Sequence, residues 1–157
     1  MNINIDGIIE KMHGSWFFNL CADNKIELAL LFGSAAQGKA VPDSDVDLAL
    51  LMERHCYPGE SILRGRLKRR MIRELSGLLR TSLLDLVILN QASPLLRHQV
   101  ARTCKVLYEN HPCTFTGYAS LALRQHNDAR LFYELDAAYL ANIHQQTDAC
   151  RRLKAGE

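Results

Sequence analysis

The chain has 157 residues, of which 48% are hydrophobic and 23% charged, with a net charge of only +2. That is the composition of one soluble globular domain able to bury a sizeable core, and it argues against a nucleic-acid grip or a membrane-surface protein. Five scattered cysteines (Cys21, Cys56, Cys104, Cys113 and Cys150) with no Cys-x-x-Cys spacing imply neither a zinc site nor a disulfide framework.

The N-terminal stretch Met1 to Gly7 lacks the basic start and apolar run of a signal peptide, and no run approaches the roughly 18 apolar residues of a membrane helix. Reduced thiols and a cytoplasmic location are the expectation. Residues 5–22 carry Ile5, Ile8, Ile9, Met12, Trp16, Phe17 and Leu20 at helical spacing, interrupted by Gly7 and Gly14. Apolar runs at 26–32 and 46–52 predict two buried strands. The Gly/Ser/Pro/Asp-rich connection between them has room for one short helical turn.

Pro58 opens a helix striped by Leu63, Leu67, Met71, Leu75 and Leu78, which Thr81 and Ser82 terminate. Leu83 to Leu89 is a third strand, apolar except for Asp85. Ser93-Pro94 starts a helix reaching about Thr103, and Lys105 to Glu109 is a short last strand. From Thr114 to about Leu153 one helical pattern sets Tyr118, Ala122, Ala129, Phe132, Tyr139 and Ile143 along one side. The plan is α/β, a small mixed sheet flanked by helices with a long C-terminal helix. Residues 1–112 form the core and 113–157 a helical extension packed on it, in one structural domain.

Chemistry concentrates at the first connection. Gly33-Ser34 leaves the first strand, and Asp45-x-Asp47 enters the second. Carboxylates at i and i+2 of a strand share a face, where they repel unless a divalent cation such as Mg²⁺ sits between them. The turn offers backbone N–H groups and a hydroxyl to phosphate oxygens. Asp85 completes three carboxylates if its strand is a neighbour, and an unpaired carboxylate inside an apolar strand is costly enough to need a reason. Two Mg²⁺ ions on such a cluster suit in-line nucleotidyl transfer, with one carboxylate taking the proton of the attacking hydroxyl. The competing reading is a polar turn from Asp43 to Asp47 ahead of a strand.

Other residues are open to two readings. Arg97 and His98, on the helix after the third strand, could approach the site, where an arginine fork suits a triphosphate; solvated helix positions are the alternative. Lys39 could touch phosphate. Arg64, Arg66, Lys68, Arg69, Arg70 and Arg73 make a basic helix face, either solvated or docking an acidic partner or RNA. Tyr118, Tyr133 and Tyr139 are expected to pack the core rather than an interface.

Gly33-Ser34, Asp45-x-Asp47 and the later Asp85 resemble the nucleotidyltransferase superfamily of DNA polymerase beta. Leu31 to Gly38 with Pro42 to Leu48, Leu84 to Asn90, and Ser93 to His98 followed by Val106 to Glu109 further resemble minimal nucleotidyltransferases, the MntA-like antitoxins of type VII HEPN/MNT toxin–antitoxin systems. The resemblance implies a polymerase beta-like fold. Gly33 and Ser34 would hold the ATP phosphates with help from Arg97; Asp45 and Asp47 would hold metal, and Asp85 would complete the triad as base. ATP would donate AMP to a tyrosine of the cognate HEPN RNase toxin, inactivating it, and a hetero-oligomer with that toxin is expected. Relatives often have glycine where Cys104 stands. The alternatives are a small-molecule nucleotidyltransferase of the aminoglycoside-modifying kind and a non-catalytic antitoxin that acts by binding.

Overall fold

A computed structural model describes residues 5–39 and 44–154, with the side chains of 5, 6, 137, 138 and 140–154 left aside. Pro42 and Asp43 of the connecting turn, Ile143 and Cys150 therefore lie outside what is described. The elements run α1 (Ile5–Met12), α2 (Ser15–Asp23), β1 (Ile26–Phe32), α3 (Gly33–Ala36), β2 (Val46–Met52), α4 (Ser61–Leu79), β3 (Leu84–Ile88), a 3₁₀ turn (Leu89–Gln91), α5 (Pro94–Thr103), β4 (Lys105–Glu109) and α6 (Thr114–Lys154). The single helix expected over 5–22 is two. Gly14 stands in extended backbone as the residue before α2, so the chain changes direction there.

The sheet has the order β3-β2-β1-β4. The short connection from β1 to β2 forces an antiparallel pair, whereas the α4 crossover lets β3 run parallel to β2. The expected mixed sheet follows. Side chains alternate between two cores. One holds Leu31, Leu48, Leu50 and Leu86 against Met12, Phe17, Met71 and Leu75 of α1, α2 and α4. The other holds Leu28, Leu30 and Ala49 against Val100, Tyr118 and Ala122 of α5 and α6.

Local chemistry sets the boundaries. Ser93 Oγ accepts from Leu96 N–H at 3.3 Å, capping α5, with Pro94 in the first turn where its missing N–H costs nothing. Arg80, in the left-handed region at φ 55°, ends α4, and Thr81 N–H then reaches back to Ser76 O. Cys104 has φ −80° and ψ 162°, ordinary extended backbone, so the turn into β4 makes no demand for glycine.

α6 spans 41 residues, about 60 Å. Its first turns bury Tyr118 and Ala122. Tyr133 and Tyr139, expected in the core, are 49% and 66% exposed, because the helix runs past the sheet that its start packs on.

Candidate active site

The register of three strands assembles the site. Phe32, the last residue of β1, pairs with Asp47, and Asp47 pairs in turn with Asp85. Neighbouring strands lie about 4.8 Å apart, so the two carboxylates stand side by side on one sheet face. They share the strand parity of Ala49 and Val87, which belong to the α5/α6 side. Asp45 directly precedes β2, two residues from Asp47, and is exposed.

Gly33 closes the site from the β1 side. It has φ +70°, and a Cβ on it would fall 1.9 Å from Asp47 Oδ2. Two separate facts therefore require glycine: the left-handed backbone and the carboxylate pressed against its Cα. Ser34 follows in the single turn of α3, half-buried, and its carbonyl accepts from Lys39 N–H at 3.0 Å. Lys39 is exposed beside it.

Electrostatics single out Asp47. Its carboxyl pKa is raised above the ordinary value, first by burial and then by the charges of Asp85 and Asp45. Among the described residues no three His, Cys, Asp or Glu side chains form a preformed ion cage. A divalent ion held by these carboxylates would offset their mutual repulsion. The donor set is all oxygen, hard and anionic, and fits Mg²⁺.

The raised pKa has a testable sign. The ionised Asp47 is penalised in the folded state, so folding is helped below the unfolded carboxylate pKa and loses that help as pH rises through the folded value. In Mg²⁺-free buffer at pH 7, Asp47→Asn is expected to stabilise the fold by about 0.5–1 kcal/mol, the scale of partly exposed charges. The gain should shrink as pH falls into the carboxylate range. Thermal denaturation of both proteins between pH 4 and 8 checks this, and a variant less stable than wild type at pH 7 would contradict it.

Asp85 corrects one expectation. It is exposed on the edge strand of the sheet, so burial cost is not what sets it there. What matters is its register against Asp47. Arg97 stands elsewhere. Its guanidinium donates to Asn90 O at 2.7 Å and to Gln125 Oε1 at 3.0 Å, and Tyr118 Oη donates to its carbonyl at 3.2 Å. Asn90 is itself bonded to both backbone groups of Met52, the far end of β2 and roughly 16 Å along the strand from Asp47. The structure thus brings Gly33, Ser34, Asp45, Asp47 and Asp85 together, and uses Arg97 to tie α6 to the opposite end. His98 stacks in parallel on His126 of α6 at 4.3 Å, a packing contact between the two helices.

Sequence reading missed the cleft between α4 and β3, lined by Arg64, Gly65 and Lys68 of α4 and by Val87 and Ile88. The signals available were the basic helix face with Arg64 and Lys68 and the glycine between them at 65.

The family model described as Polymerase beta, Nucleotidyltransferase matches residues 18–112. No curated protein sequence matches the chain. Among solved structures, a toxin–antitoxin crystallised with AMP-PNP is 28% identical, covering 83% of this chain and 98% of that one, with TM-score 0.57. The MNT antitoxin in complex with tri-AMPylated Shewanella oneidensis HEPN toxin is 26% identical over 83% and 98%, with TM-score 0.56. A minimal nucleotidyltransferase is 30% identical over 67% and 95%, with TM-score 0.51. Among the described residues no helix is long and apolar enough to cross a membrane.

Proposed function

Because the chain belongs to the polymerase beta nucleotidyltransferase family, we propose that it is an antitoxin that transfers AMP from ATP to a tyrosine of a cognate HEPN toxin and so neutralises it. The observation that carries the chemistry is the Phe32–Asp47–Asp85 register, with Asp45 two residues upstream and Gly33 against the Asp47 carboxylate. The likeness to MNT antitoxins, one of them with an AMPylated HEPN toxin and another toxin–antitoxin with AMP-PNP, supports the acceptor and the donor.

Asp45 and Asp47, with Asp85 beside them, would hold Mg²⁺. When bound, the ion would supply charge neutralisation for the triphosphate. Gly33 brings the backbone of the β1–α3 turn close to the phosphates, and Ser34 adds its N–H and hydroxyl. Asp85 faces outward, where an incoming hydroxyl arrives. It takes the tyrosine proton as the oxygen bonds to the α-phosphorus and the α–β bridge breaks, releasing pyrophosphate. Residues 1–112 supply this chemistry, and the segment from 113 onward, mostly α6, forms the flanking extension.

The test is direct. Incubated with the cognate toxin, ATP and Mg²⁺, the protein should add one or more AMP masses to a toxin tyrosine, read by intact-mass and peptide mass spectrometry. Neutralisation with no added mass would leave a binding-only antitoxin.

A further inference from the structure

We propose that the cleft between α4 and the β3 edge is the docking pocket for an acidic segment of the acceptor protein, with an apolar side chain as its anchor. This rests on the protein-modifying reading above. The cleft, of about 350 Å³, runs between Arg64, Gly65 and Lys68 of α4 and Val87 and Ile88 of β3, with Tyr57 at one end.

Its position favours an acceptor. β3 is the edge strand, and Val87 is two residues from the exposed Asp85 on the same face, about 7 Å along the strand. From there the lining continues to Gln91 and Ala92, away from the site, so an acceptor segment anchored in the cleft reaches the carboxylate assigned as base by running back along the β3 edge.

Charge favours an acidic occupant. α4 carries six of the nineteen Lys and Arg residues and one acid, Glu74, while the whole chain is only +2. The rest of the chain is thus net acidic, and α4 carries the excess positive charge, with Arg64 and Lys68 turned to this cleft and Arg66 and Arg70 to another side of the helix. Among the described residues the ion pairs are Arg70–Glu74 and Arg130–Glu134, so neither Arg64 nor Lys68 is matched with a carboxylate. Arg64 is already held in place. Its Nε donates to Pro58 O at 3.0 Å, a terminal nitrogen donates to Gly59 O, and the guanidinium lies 5.8 Å from the Tyr57 ring centroid. A cation planted this way loses little freedom when a carboxylate arrives.

Gly65 supplies room in the cleft wall. Glycine is the poorest helix former after proline, and here it sits inside a 19-residue helix. A Cβ on it would meet only Arg69 Nη1 at 3.5 Å, an ordinary contact. Gly77 of the same helix is likewise free of close contacts, so what sets Gly65 apart is its place in the cleft wall, where the missing Cβ leaves room for an entering side chain.

The surface continues in a direction that suits protein better than nucleic acid. Ala92 lines this cleft and also a second one, of about 470 Å³, bounded by Arg97 and Phe132. Beyond it Leu131, Phe132 and Leu135 of α6 are 60%, 66% and 58% exposed. A partner over β3 would cover both the basic cleft and this apolar face, and phosphate has no use for the latter.

The experiment uses the full chain with its cognate toxin. Gly65→Leu fills the cleft with a better helix former and leaves every charge in place; Lys68→Glu reverses an exposed charge at its rim. Each variant should weaken toxin binding at least tenfold by calorimetry without nucleotide and raise the KM for toxin at least tenfold. AMP-PNP affinity and kcat should stay as in wild type, with the melting temperature unchanged for Lys68→Glu and no lower for Gly65→Leu. Wild-type binding should weaken with added salt, and Lys68→Glu should flatten that dependence. If both folded variants bind toxin as wild type does, the cleft is not the docking site. Loss of single-stranded RNA binding with toxin binding intact would likewise overturn the proposal. If the wild type binds toxin without modifying it, the transferase reading fails, and the binding arm alone then decides the cleft.

Discussion

Replacing Asp45 and Asp47 together by alanine is expected to abolish AMP transfer, with a loss of about 10³-fold or more. The pair is the larger part of the carboxylate cluster, and charge stabilisation by a held divalent ion contributes several kcal/mol to such a transition state. Each 1.36 kcal/mol is a factor of ten in rate. The fold should survive, because Asp45 is exposed and Asp47 only half-buried. Removing mutually repelling charges should raise the melting temperature of the Mg²⁺-free protein. Circular dichroism together with the toxin mass assay reads both effects. A folded double variant that still modifies toxin would remove these residues from the metal site.

Gly33→Ala is the second large effect, and the less obvious one. A single methyl group would stand 1.9 Å from Asp47 Oδ2 and 2.8 Å from its Cγ, in a backbone at φ +70°. The left-handed conformation alone costs about 1–2 kcal/mol for an L residue. The overlap must then be relieved by turning the Asp47 carboxylate out of the site, and misplacement by about 1 Å can cost about 10²-fold in rate. The variant should fold with lowered stability and lose activity at least that far. A double-mutant cycle separates the two causes. With Asp47→Ala the nearest remaining neighbour is the Cβ at 3.2 Å, so the steric part of the stability loss should largely vanish and the backbone part should remain. Equal losses in both backgrounds would show that the carboxylate contact plays no part.

Much of this site is local and could be read along the chain. Gly33-Ser34 after an apolar run, and Asp45-x-Asp47 leading into another, need only the turn preferences of glycine and serine and the two-residue period of a strand. The helix starts at Ser93-Pro94 and the strand at Lys105 to Glu109 were likewise legible, since capping chemistry and short apolar runs depend on near neighbours. The break at Gly14 was visible only as a weakness in the pattern, because helical spacing continues across it while the backbone does not.

Features that depend on distant residues were not legible. Asp85 looked buried because its flanking residues are apolar, yet β3 lies at the sheet edge and leaves it exposed. Arg97 looked available to phosphate, but Asn90 O and Gln125, the latter on a helix 28 residues later, engage its guanidinium. The stripe of α6 suggested a core helix along its length. Past the sheet Phe132 and Tyr139 are each 66% exposed, and no local pattern marks that point.

The sequence by itself determined the candidate site residues and pointed to nucleotidyl transfer, because the glycine-serine turn and the paired aspartates are defined by spacing of a few residues. Only the tertiary structure decided how they meet. Strand pairing sets Asp85 against Asp47 across 38 residues of chain, presses the Asp47 carboxylate onto Gly33, and opens a basic cleft one step along β3. Those are relations of register and packing, and register is a property of the folded sheet.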